Sequence, residues 1–599
     1  MGILSIISLF GGLAMFLYGI EVMGDGLKSS SGAALKKFLE KATNNLLLGV
    51  LTGTIVTAVI QSSTATIVLT VALIGAGILD LRQGVSIAMG ANIGTTITSQ
   101  IIRLASVDAS GNPLLNLFKA ETLAPLALVA GIVLIMFVKR GAAKSVGNIF
   151  IGFGILFSGI MNMTAAVKPL SESAEFAELL LRLSKIPIVG ILAGVGSTII
   201  IQSSSAVVGI LQTIADATGA VTFSLAYPII MGSNIGTCIV TATLCSIGAT
   251  KDGKRTGFVH ILFNLFGTVL IMLGLSILHR TGIISESYWV STMTSGSIAD
   301  FHTLTKLITC ALLLPFTNQL IALSKLVIRD DAPAAQVHPE LHTLDSKLLI
   351  SPALALNEAT RAVASMGNVA RQNFKRSCLM LSKYNDKDAA LILSEEDCLD
   401  QFAETADYFL VDLSKRLSTD AEDTQLNLLM QTVPNFERIG DYATNILEFS
   451  QKMQSEKLQF SKTAREELAL LGSAVNEILN LTISAFDSND NEAAKSVEPL
   501  EEIIDDMVLL LRDRHTERLR SGQCTINAGL IFLEVLTYME RASDQCSSTA
   551  AWMLSRADKS IAHSHHDYLK QIHQGNDSFY RQEYAKRREE YILPLQKIE

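Results

Sequence analysis

Two polar stretches, Gln61-Ser62-Ser63-Thr64 and Gln202-Ser203-Ser204-Ser205, interrupt apolar sequence at corresponding places in the first half of this chain. The apolar runs on either side of each stretch are too short to cross a bilayer alone, since a spanning helix needs about 20 residues. No Asp, Glu, Lys or Arg lies between Lys41 and Asp80, which favours a membrane environment because charges there are costly. We therefore expect two re-entrant helical hairpins, each with a polar tip inside the membrane.

The two stretches belong to an internal duplication. Thr57 recurs as Thr198 at an offset of 141 residues, and the Asn-Ile-Gly-Thr segment that starts at Asn92 recurs from Asn234 at an offset of 142. An odd number of predicted crossings separates the hairpins, so the second would enter from the opposite face. The sequence thus predicts two inverted repeats whose tips meet near the midplane, as in secondary transporters. The crossings are Val85–Ile102, Leu123–Val138 and Ile149–Met163.

Charge divides the chain into two halves. Residues 1–329 carry 20 Lys and Arg against 13 Asp and Glu, and the remainder carries 28 against 44. An apolar half joined to an acidic half argues against a nucleic-acid binder. A modest excess of Lys and Arg in the loops on the side of the acidic half predicts that this half is cytosolic. The predicted domains are a membrane domain 1–329 (repeats at about 1–140 and 145–280, final helix about 303–328), a linker 330–345, a helical domain 346–562 and a solvated tail 563–599.

The polar tips have the chemistry to hold both a cation and an anion. A broken helix frees carbonyl oxygens, which together with hydroxyl and amide oxygens are hard ligands suited to sodium. The new helix N-terminus presents N–H groups and a positive dipole end, which suit an oxyanion such as phosphate. Serine and threonine in membrane helices also bond to their own carbonyls. The repetition in register favours a binding role over that structural one.

The paired Gln-Ser-Ser segments, each followed by Asn-Ile-Gly-Thr, resemble the type II sodium–phosphate cotransporter family over about residues 1–330. Further matches are Arg255, His260, Phe263-Asn264 and the segment Ala299-Asp300-Phe301-His302-Thr303. The resemblance implies an all-α polytopic membrane transporter and not an enzyme. For His260 and His302, a hydrogen-bonded structural role is favoured over a role as ligand or proton relay.

Carried over residue by residue, the resemblance implies two sets of ligands. Phosphate would be held by the tips: Gln61, Ser62, Ser63, Thr64, Gln202, Ser203, Ser204 and Ser205. Sodium would be held by Thr57, Asn92, Thr95, Thr198, Asn234 and Thr237. The sequence departs from the family pattern at two places. Thr64 stands where a third serine is common, and the first repeat has no counterpart of the His-x-x-Phe-Asn segment. The number of ions transported with phosphate therefore stays open.

The acidic half has helical periodicity and carries repeated Glu-x-x-x-Asp pairs, which lie on one helix face. An acidic solvated face is one interpretation, and a chelated metal is the other. The repeat resembles PhoU domains, which are tandem three-helix bundles linked to phosphate regulation, and this implies a site for a divalent or iron metal. The candidate ligands are Glu396, Asp400, Glu437, Asp441, Glu502, Asp506, Glu540 and Asp544.

The leading hypothesis is sodium-coupled transport of inorganic phosphate across the inner (cytoplasmic) membrane by a multi-pass protein with a cytosolic regulatory domain. The alternatives are transport of another oxyanion or a dicarboxylate, phosphate export, or a metal-dependent enzyme or sensor that the membrane half only anchors. The expected partners are phosphate, sodium and the lipid bilayer, with no nucleic acid. A homodimer and a phosphate-signalling protein remain open as further partners.

Overall fold

The computed structural model describes residues 3–40, 45–106, 119–138, 141–169, 173–247, 249–329, 338, 341, 343–417, 419–557 and 577–598. The described residues form helices and contain no β-strand, which confirms the all-α prediction. The chain divides into two compact units, Met1–Pro333 and Ala334–Glu599.

The first unit is built from helices of very different length. They are α1 Ile3–Glu40, α2 Leu46–Ile60, α3 Ser63–Gly75, α4 Leu81–Gly94, α5 Thr96–Ile102, α6 Ala120–Phe137, α7 Gly141–Val167, α8 Ala174–Ser184, α9 Pro187–Ile201, α10 Ser204–Thr218, α11 Phe223–Ser246, α12 Lys251–Arg280, α13 Glu286–Trp289, α14 Ser295–Leu313 and α15 Thr317–Val327.

Among the residues that the structure describes in this unit, five helical segments are long and apolar enough to cross a membrane, so the protein is a multi-pass membrane protein. They are Ile3–Ser30, Ala143–Val167, Phe223–Ser246, Lys251–Arg280 and Ser295–Val327. A sixth, Lys462–Ser488, meets the same criteria but lies in the second unit, where its Glu467 is paired with arginines. The predicted crossing Val85–Ile102 is not one helix, because the chain breaks at Thr95 between α4 and α5.

The duplication extends to helix packing. Helix α2 packs along α4 in the first repeat, and α9 packs along α11 in the second. A Cβ on Gly53 would lie 2.0 Å from the carbonyl oxygen of Ile87, and one on Gly194 would lie 2.2 Å from that of Ile229. Only glycine permits such close backbone approach, so both copies need it at the same place.

The second unit contains two sets of three long helices. The first set is α16 Pro352–Met380, α17 Asp386–Ser414 and α18 Asp420–Glu456. The second is α19 Lys462–Ser488, α21 Val497–Arg520 and α22 Ile526–Ala557, with the short α20 Asn491–Lys495 between α19 and α21. The three helices of each set pack on one another, and α18 also packs on α22. These are the tandem bundles that the sequence predicts.

The end of the chain differs from the predicted solvated tail. Helix α23 (Ser578–Arg587) packs against α21, and its Tyr584 hydroxyl donates to Asp506 at 2.6 Å. Tyr580 and Tyr591 are buried in the same segment. The basic residues near 587 suggested solvent exposure, but aromatic burial decides the outcome. The histidine-rich part of the predicted tail lies outside the described residues.

Candidate functional site

The two polar tips have the same backbone geometry. Gln61 and Gln202 adopt left-handed conformations with φ of 59° and 60°. The backbone N–H of each donates to the backbone carbonyl of the threonine four residues earlier, at 2.7 Å. Ser62 and Ser203 then cap α3 and α10, each accepting from a backbone N–H at 3.2 Å. A glutamine with positive φ is uncommon, so its presence twice marks a position where the side chain matters.

Both tips line one cavity of about 240 Å³ in the first unit. Every residue predicted to bind phosphate contributes to its lining, from Gln61 to Thr64 and from Gln202 to Ser205. This volume is well above the about 10–15 Å³ that a single water requires. The cavity therefore has room for a tetrahedral oxyanion with accompanying ions or waters.

Helix α1 also lines this cavity, with Glu21 and Lys28 among its contributions. The sequence patterns do not predict these two residues as part of the site. The Lys28 ammonium donates to Asp25 at 2.9 Å, so the wall contributed by α1 is polar and carries both signs of charge.

Each tip contacts the other repeat. The Thr64 hydroxyl lies 3.0 Å from that of Thr241 on α11, and the Ser205 hydroxyl reaches the carbonyl oxygen of Thr95 at 3.5 Å. The cavity is therefore held by bonds between the repeats, and a shift of one repeat against the other would change it.

The threonines predicted to bind sodium fall into three environments. Thr57 donates to Thr66 at 3.0 Å, whereas the buried hydroxyl of Thr198 has no hydrogen-bond partner among the described residues. Thr95 and Thr237 donate to carbonyls of their own helices, and Thr237 lines the cavity. An unsatisfied buried hydroxyl is unfavourable, so Thr198 has an oxygen available for an ion.

Asn92, another predicted sodium ligand, instead holds a lysine. The buried Lys306 ammonium donates to Asn92 Oδ1 and to Asn264 Oδ1, both at 2.9 Å. Asn234 and Asn264 line a small void beside Lys306. Lys306 is not among the predicted site residues, although His302-x-x-x-Lys306 has the same spacing as His260-x-x-x-Asn264.

The two membrane histidines are fully buried and do not line the cavity between the tips. His302 Nδ1 lies 3.0 Å from the Ser99 hydroxyl. Neither ring nitrogen of His260 has a hydrogen-bond partner in the part of the chain that the structure describes.

The second unit brings carboxylates together in two clusters. Glu396, Asp400 and Asp441 form the first, with ligand oxygens within 4.8 Å of one another. Glu437 lies outside this cluster but close enough that Asp441 and Asp400 help to raise its pKa, after burial. Carboxylate oxygens in this arrangement suit a hard or borderline cation.

The second cluster uses a register one residue earlier than the sequence predicts. It consists of Glu501, Asp505 and Asp544. The predicted Asp506 instead accepts from Tyr584, and Glu540 pairs with Arg512 at 2.6 Å. The predicted Glu502 is not among the clustered carboxylates of the described chain.

Burial, followed by neighbouring carboxylates, raises the pKa of these groups. The pKa of Glu501 rises to about 10 and that of Asp505 to about 7. The pKa of Asp441 is raised by burial and by Asp400. A bound cation would favour the ionised forms, so the carboxylates present fit a metal.

Comparison with known families accounts for both units. The Na+/Pi-cotransporter family model matches residues 15–165 and 159–287, and the PhoU domain model matches residues 363–450 and 468–553. The chain belongs to the type II sodium–phosphate cotransporter family and carries a C-terminal PhoU-like domain. It is therefore a phosphate transporter by family and not an enzyme.

Several relatives are similar to this chain over different lengths. YjbB of Salmonella typhimurium, a protein with a proposed role in inorganic phosphate export, is 23% identical over 93% of this chain and 98% of its own. YqeW of Bacillus subtilis is 28% identical over 54% of this chain and 99% of its own. Human sodium-dependent phosphate transport protein 2B is 32% identical over 18% of this chain and 16% of its own.

Among solved structures, PhoU from Streptococcus pneumoniae aligns with a TM-score of 0.32 at 18% identity, over 35% of this chain and 97% of PhoU. The family model, rather than this distant likeness, identifies the PhoU-like domain.

Proposed function

We propose that this chain moves inorganic phosphate across the inner (cytoplasmic) membrane together with sodium, and that both bind in the cavity between the two polar tips. The observation that carries the proposal is that the Gln-Ser-Ser tips of both repeats line one cavity. In a pair of inverted repeats, such a site could open to either side of the membrane in turn.

Phosphate would bind to the N-terminal turns of α3 and α10 and to the tip side chains, from Gln61 to Thr64 and from Gln202 to Ser205. Backbone N–H groups at a helix start favour an oxyanion, and hydroxyl and amide groups donate hydrogen bonds without adding charge. Lys28 at the cavity wall is paired with Asp25 and lies in the same wall as Glu21, so α1 adds no net positive charge to the site.

Sodium would be held by neutral oxygens of Thr57, Thr95, Thr198, Asn234 and Thr237. The orphan hydroxyl of Thr198 gives the most direct support. Asn92 would bind sodium only in a state in which the Lys306 ammonium has left its amide oxygen. With the ammonium in place, Lys306 supplies a fixed positive charge that a second mobile ion would otherwise supply.

The decisive experiment measures phosphate flux into proteoliposomes with and without a sodium gradient, with choline replacing sodium as the control. Sodium-coupled transport requires faster uptake down the sodium gradient and phosphate-dependent uptake of labelled sodium. Phosphate flux that is indifferent to sodium would reject the coupling. Competition by arsenate, sulfate and succinate separates phosphate from other oxyanions and dicarboxylates.

Net export is a second candidate, favoured by similarity to YjbB over nearly the whole chain. Phosphate efflux from preloaded cells that express the protein, compared at high and low external sodium, tests the direction. Efflux that rises when external sodium is removed would support export through the same coupled carrier.

We propose that residues 346–562 form a cytosolic regulatory domain that binds divalent or iron metal at its carboxylate clusters, joined to the membrane domain 1–329 by a linker. Deletion of residues 335–599 tests this role. Retained but unregulated phosphate transport is expected, whereas complete loss by a correctly inserted protein would argue that this half is part of the transport machinery.

A further inference from the structure

A cavity in the second unit lies apart from both carboxylate clusters. It has a volume of about 290 Å³ and is lined by His515 and Arg518 from the last turns of α21. Ser461, the N-cap of α19, lines it as well. Thr525, directly before α22, completes this polar side. Two helices of 27 and 32 residues thus begin at one cavity that also carries basic side chains.

Each of these two side chains has a buried nitrogen without a hydrogen-bond partner in the described part of the chain. His515 is 3% exposed and Arg518 is 8% exposed. His515 Nε2 and Arg518 Nη2 have no hydrogen-bond partner among the described residues. Burying such atoms unsatisfied is unfavourable, and a ligand that accepts hydrogen bonds from them would remove that cost.

Positive charge exceeds negative charge beside the cavity. Arg514 and Arg518 both pair with the fully buried Glu467, at 3.2 Å and 2.8 Å, so two guanidinium groups share one carboxylate. Neither α19 nor α22 has an acidic residue in its first turn, which leaves both positive dipole ends without a local counter-charge. An anion is therefore the complementary ligand.

The opposite wall is aromatic and fixes the donors in place. The His515 ring stacks on Phe532 with centroids 5.0 Å apart, and the Arg518 guanidinium lies 5.4 Å from the same ring. Space beside His515 exists because residue 529 is glycine: a Cβ there would lie 2.8 Å from His515 Nε2.

We propose that this cavity binds the phosphate group of a small anion, either inorganic phosphate or a nucleoside monophosphate. Arg518 and the helix N-terminal amides would bind the phosphoryl oxygens. Phe460 and Phe532 provide an apolar wall against which a base could pack. The second unit would then sense a phosphate compound directly, independently of any metal at the carboxylate clusters.

Hydrogen exchange on the purified full-length protein tests the proposal, because it locates binding within the chain. Gln61→Ala and Gln202→Ala are introduced together to weaken phosphate binding at the tips. Inorganic phosphate and AMP are then added in separate arms. The proposal expects slower exchange in residues 459–466 and 522–532 in at least one arm, and the arm that responds identifies the ligand.

Gly529→Ala is the matched variant, because its new methyl group displaces His515 into the cavity without changing charge. Binding should weaken on the order of tenfold or more, as expected for loss of a charge-assisted site. Gly472→Ala on α19 is the control, since its Cβ meets its nearest side-chain atom at an ordinary 3.9 Å.

Arg518→Gln provides a second variant if Gly529→Ala does not fold. Absence of protection in both ligand arms would overturn the proposal. Protection that persists unchanged in both Gly529→Ala and Arg518→Gln would also overturn it, because the anion would then bind elsewhere.

Discussion

The two polar tips share one backbone and differ in what their side chains contact. In the first repeat, the Gln61 side-chain oxygen accepts from the Thr98 hydroxyl at 2.9 Å, and Thr57 is bonded to Thr66. In the second repeat, Gln202 is exposed and the Thr198 hydroxyl is unpartnered within the described chain. Duplication has kept the backbone geometry, while the Gln61 and Thr57 side chains are bonded within their own repeat and the Thr198 hydroxyl has no partner among the described residues.

Two substitutions account for this difference. The counterpart of Thr66 is Val207, at the offset of 141, and the counterpart of Thr98 is Val240, at the offset of 142. Each replacement keeps the branched shape of the side chain and removes a hydroxyl. The two hydroxyl groups that bond to Gln61 and Thr57 in the first repeat are therefore missing from the second repeat.

The largest expected effect comes from Gln202→Ala. Because exposed Gln202 lines the cavity and its side-chain amide has no hydrogen-bond partner among the described residues, its loss should reduce phosphate flux roughly 10- to 100-fold and leave thermal stability unchanged. Gln61→Ala should also lose transport and should in addition destabilise the protein by about 1 kcal/mol, since Thr98 loses its acceptor. Proteoliposome flux and thermal unfolding in detergent measure both effects. Equal stability losses in the two variants would contradict the inferred difference in bonding between the Gln61 and Gln202 side chains.

Removing the two equivalent threonine hydroxyls sharpens the comparison. Thr198→Val should lower the apparent affinity for sodium without destabilising the protein, because its hydroxyl has no partner in the described structure. Thr57→Val should cost about 1 kcal/mol of stability by breaking the bond to Thr66. The sodium dependence of phosphate uptake and the unfolding temperature are the readouts. A larger shift in sodium affinity for Thr57→Val would reverse the assignment.

The asparagines after the tips differ in the same way, since Lys306 bonds to Asn92 and not to Asn234. Lys306→Asn introduces the residue type that Asn264 provides at the corresponding position, and it frees the Asn92 oxygen for a mobile cation. We expect a steeper sodium dependence of phosphate uptake, with the apparent order rising by as much as one.

Lys325→Gln is the matched control, because it removes a positive charge from an exposed position on α15. It should leave the sodium order unchanged. An unchanged order in a folded Lys306→Asn protein would show that the ammonium does not stand in for an ion.

The last expected effect is on stability rather than on transport, and it concerns the duplicated carboxylate clusters. Because folding raises the pKa of Glu501 to about 10 and that of Asp505 to about 7, the folded state binds more protons than the unfolded state above the ordinary carboxyl range. Stability without metal should therefore fall as pH rises from about 5 toward these values. Thermal unfolding across this range measures the trend.

A divalent metal should reverse that trend, since a cation favours the ionised carboxylates. Glu501→Gln should raise the unfolding temperature without metal and diminish the shift that metal produces. A metal-induced shift that is the same in wild type and Glu501→Gln would exclude this cluster as the binding site.

Much of the candidate site could be predicted because it is repeated. A motif that occurs twice at a constant offset can be recognised from the sequence alone. All eight tip residues predicted in this way line the shared cavity. Lys306 was not predicted because the residue at the corresponding position, Asn264, is uncharged. Only the histidines four residues earlier, His302 and His260, are the same in the two segments. Glu21 and Lys28 could not be predicted, because the path of α1 past the tips depends on helix packing, which local sequence does not encode.

The second carboxylate cluster shows how periodicity leaves the register open. In Glu501-Glu502-Ile503-Ile504-Asp505-Asp506, two Glu-x-x-x-Asp pairs overlap one residue apart. Spacing alone cannot choose between them. Helix rotation does, because burial of both isoleucines turns Glu501 and Asp505 toward Asp544. Asp506 is then left to accept the bond from Tyr584 in the C-terminal segment.

The left-handed turn at Gln61 and Gln202 separates the requirements of folding from those of transport. Glycine would adopt this turn with less strain, so a glycine variant should assemble at least as well as the wild type and yet carry no phosphate. Asparagine tolerates the turn and keeps an amide on a shorter arm, so it should rank between the two. Saturation of these two positions, sorted once for membrane assembly and once for growth on limiting phosphate, should yield two different sets of surviving residues, and glutamine should belong to both.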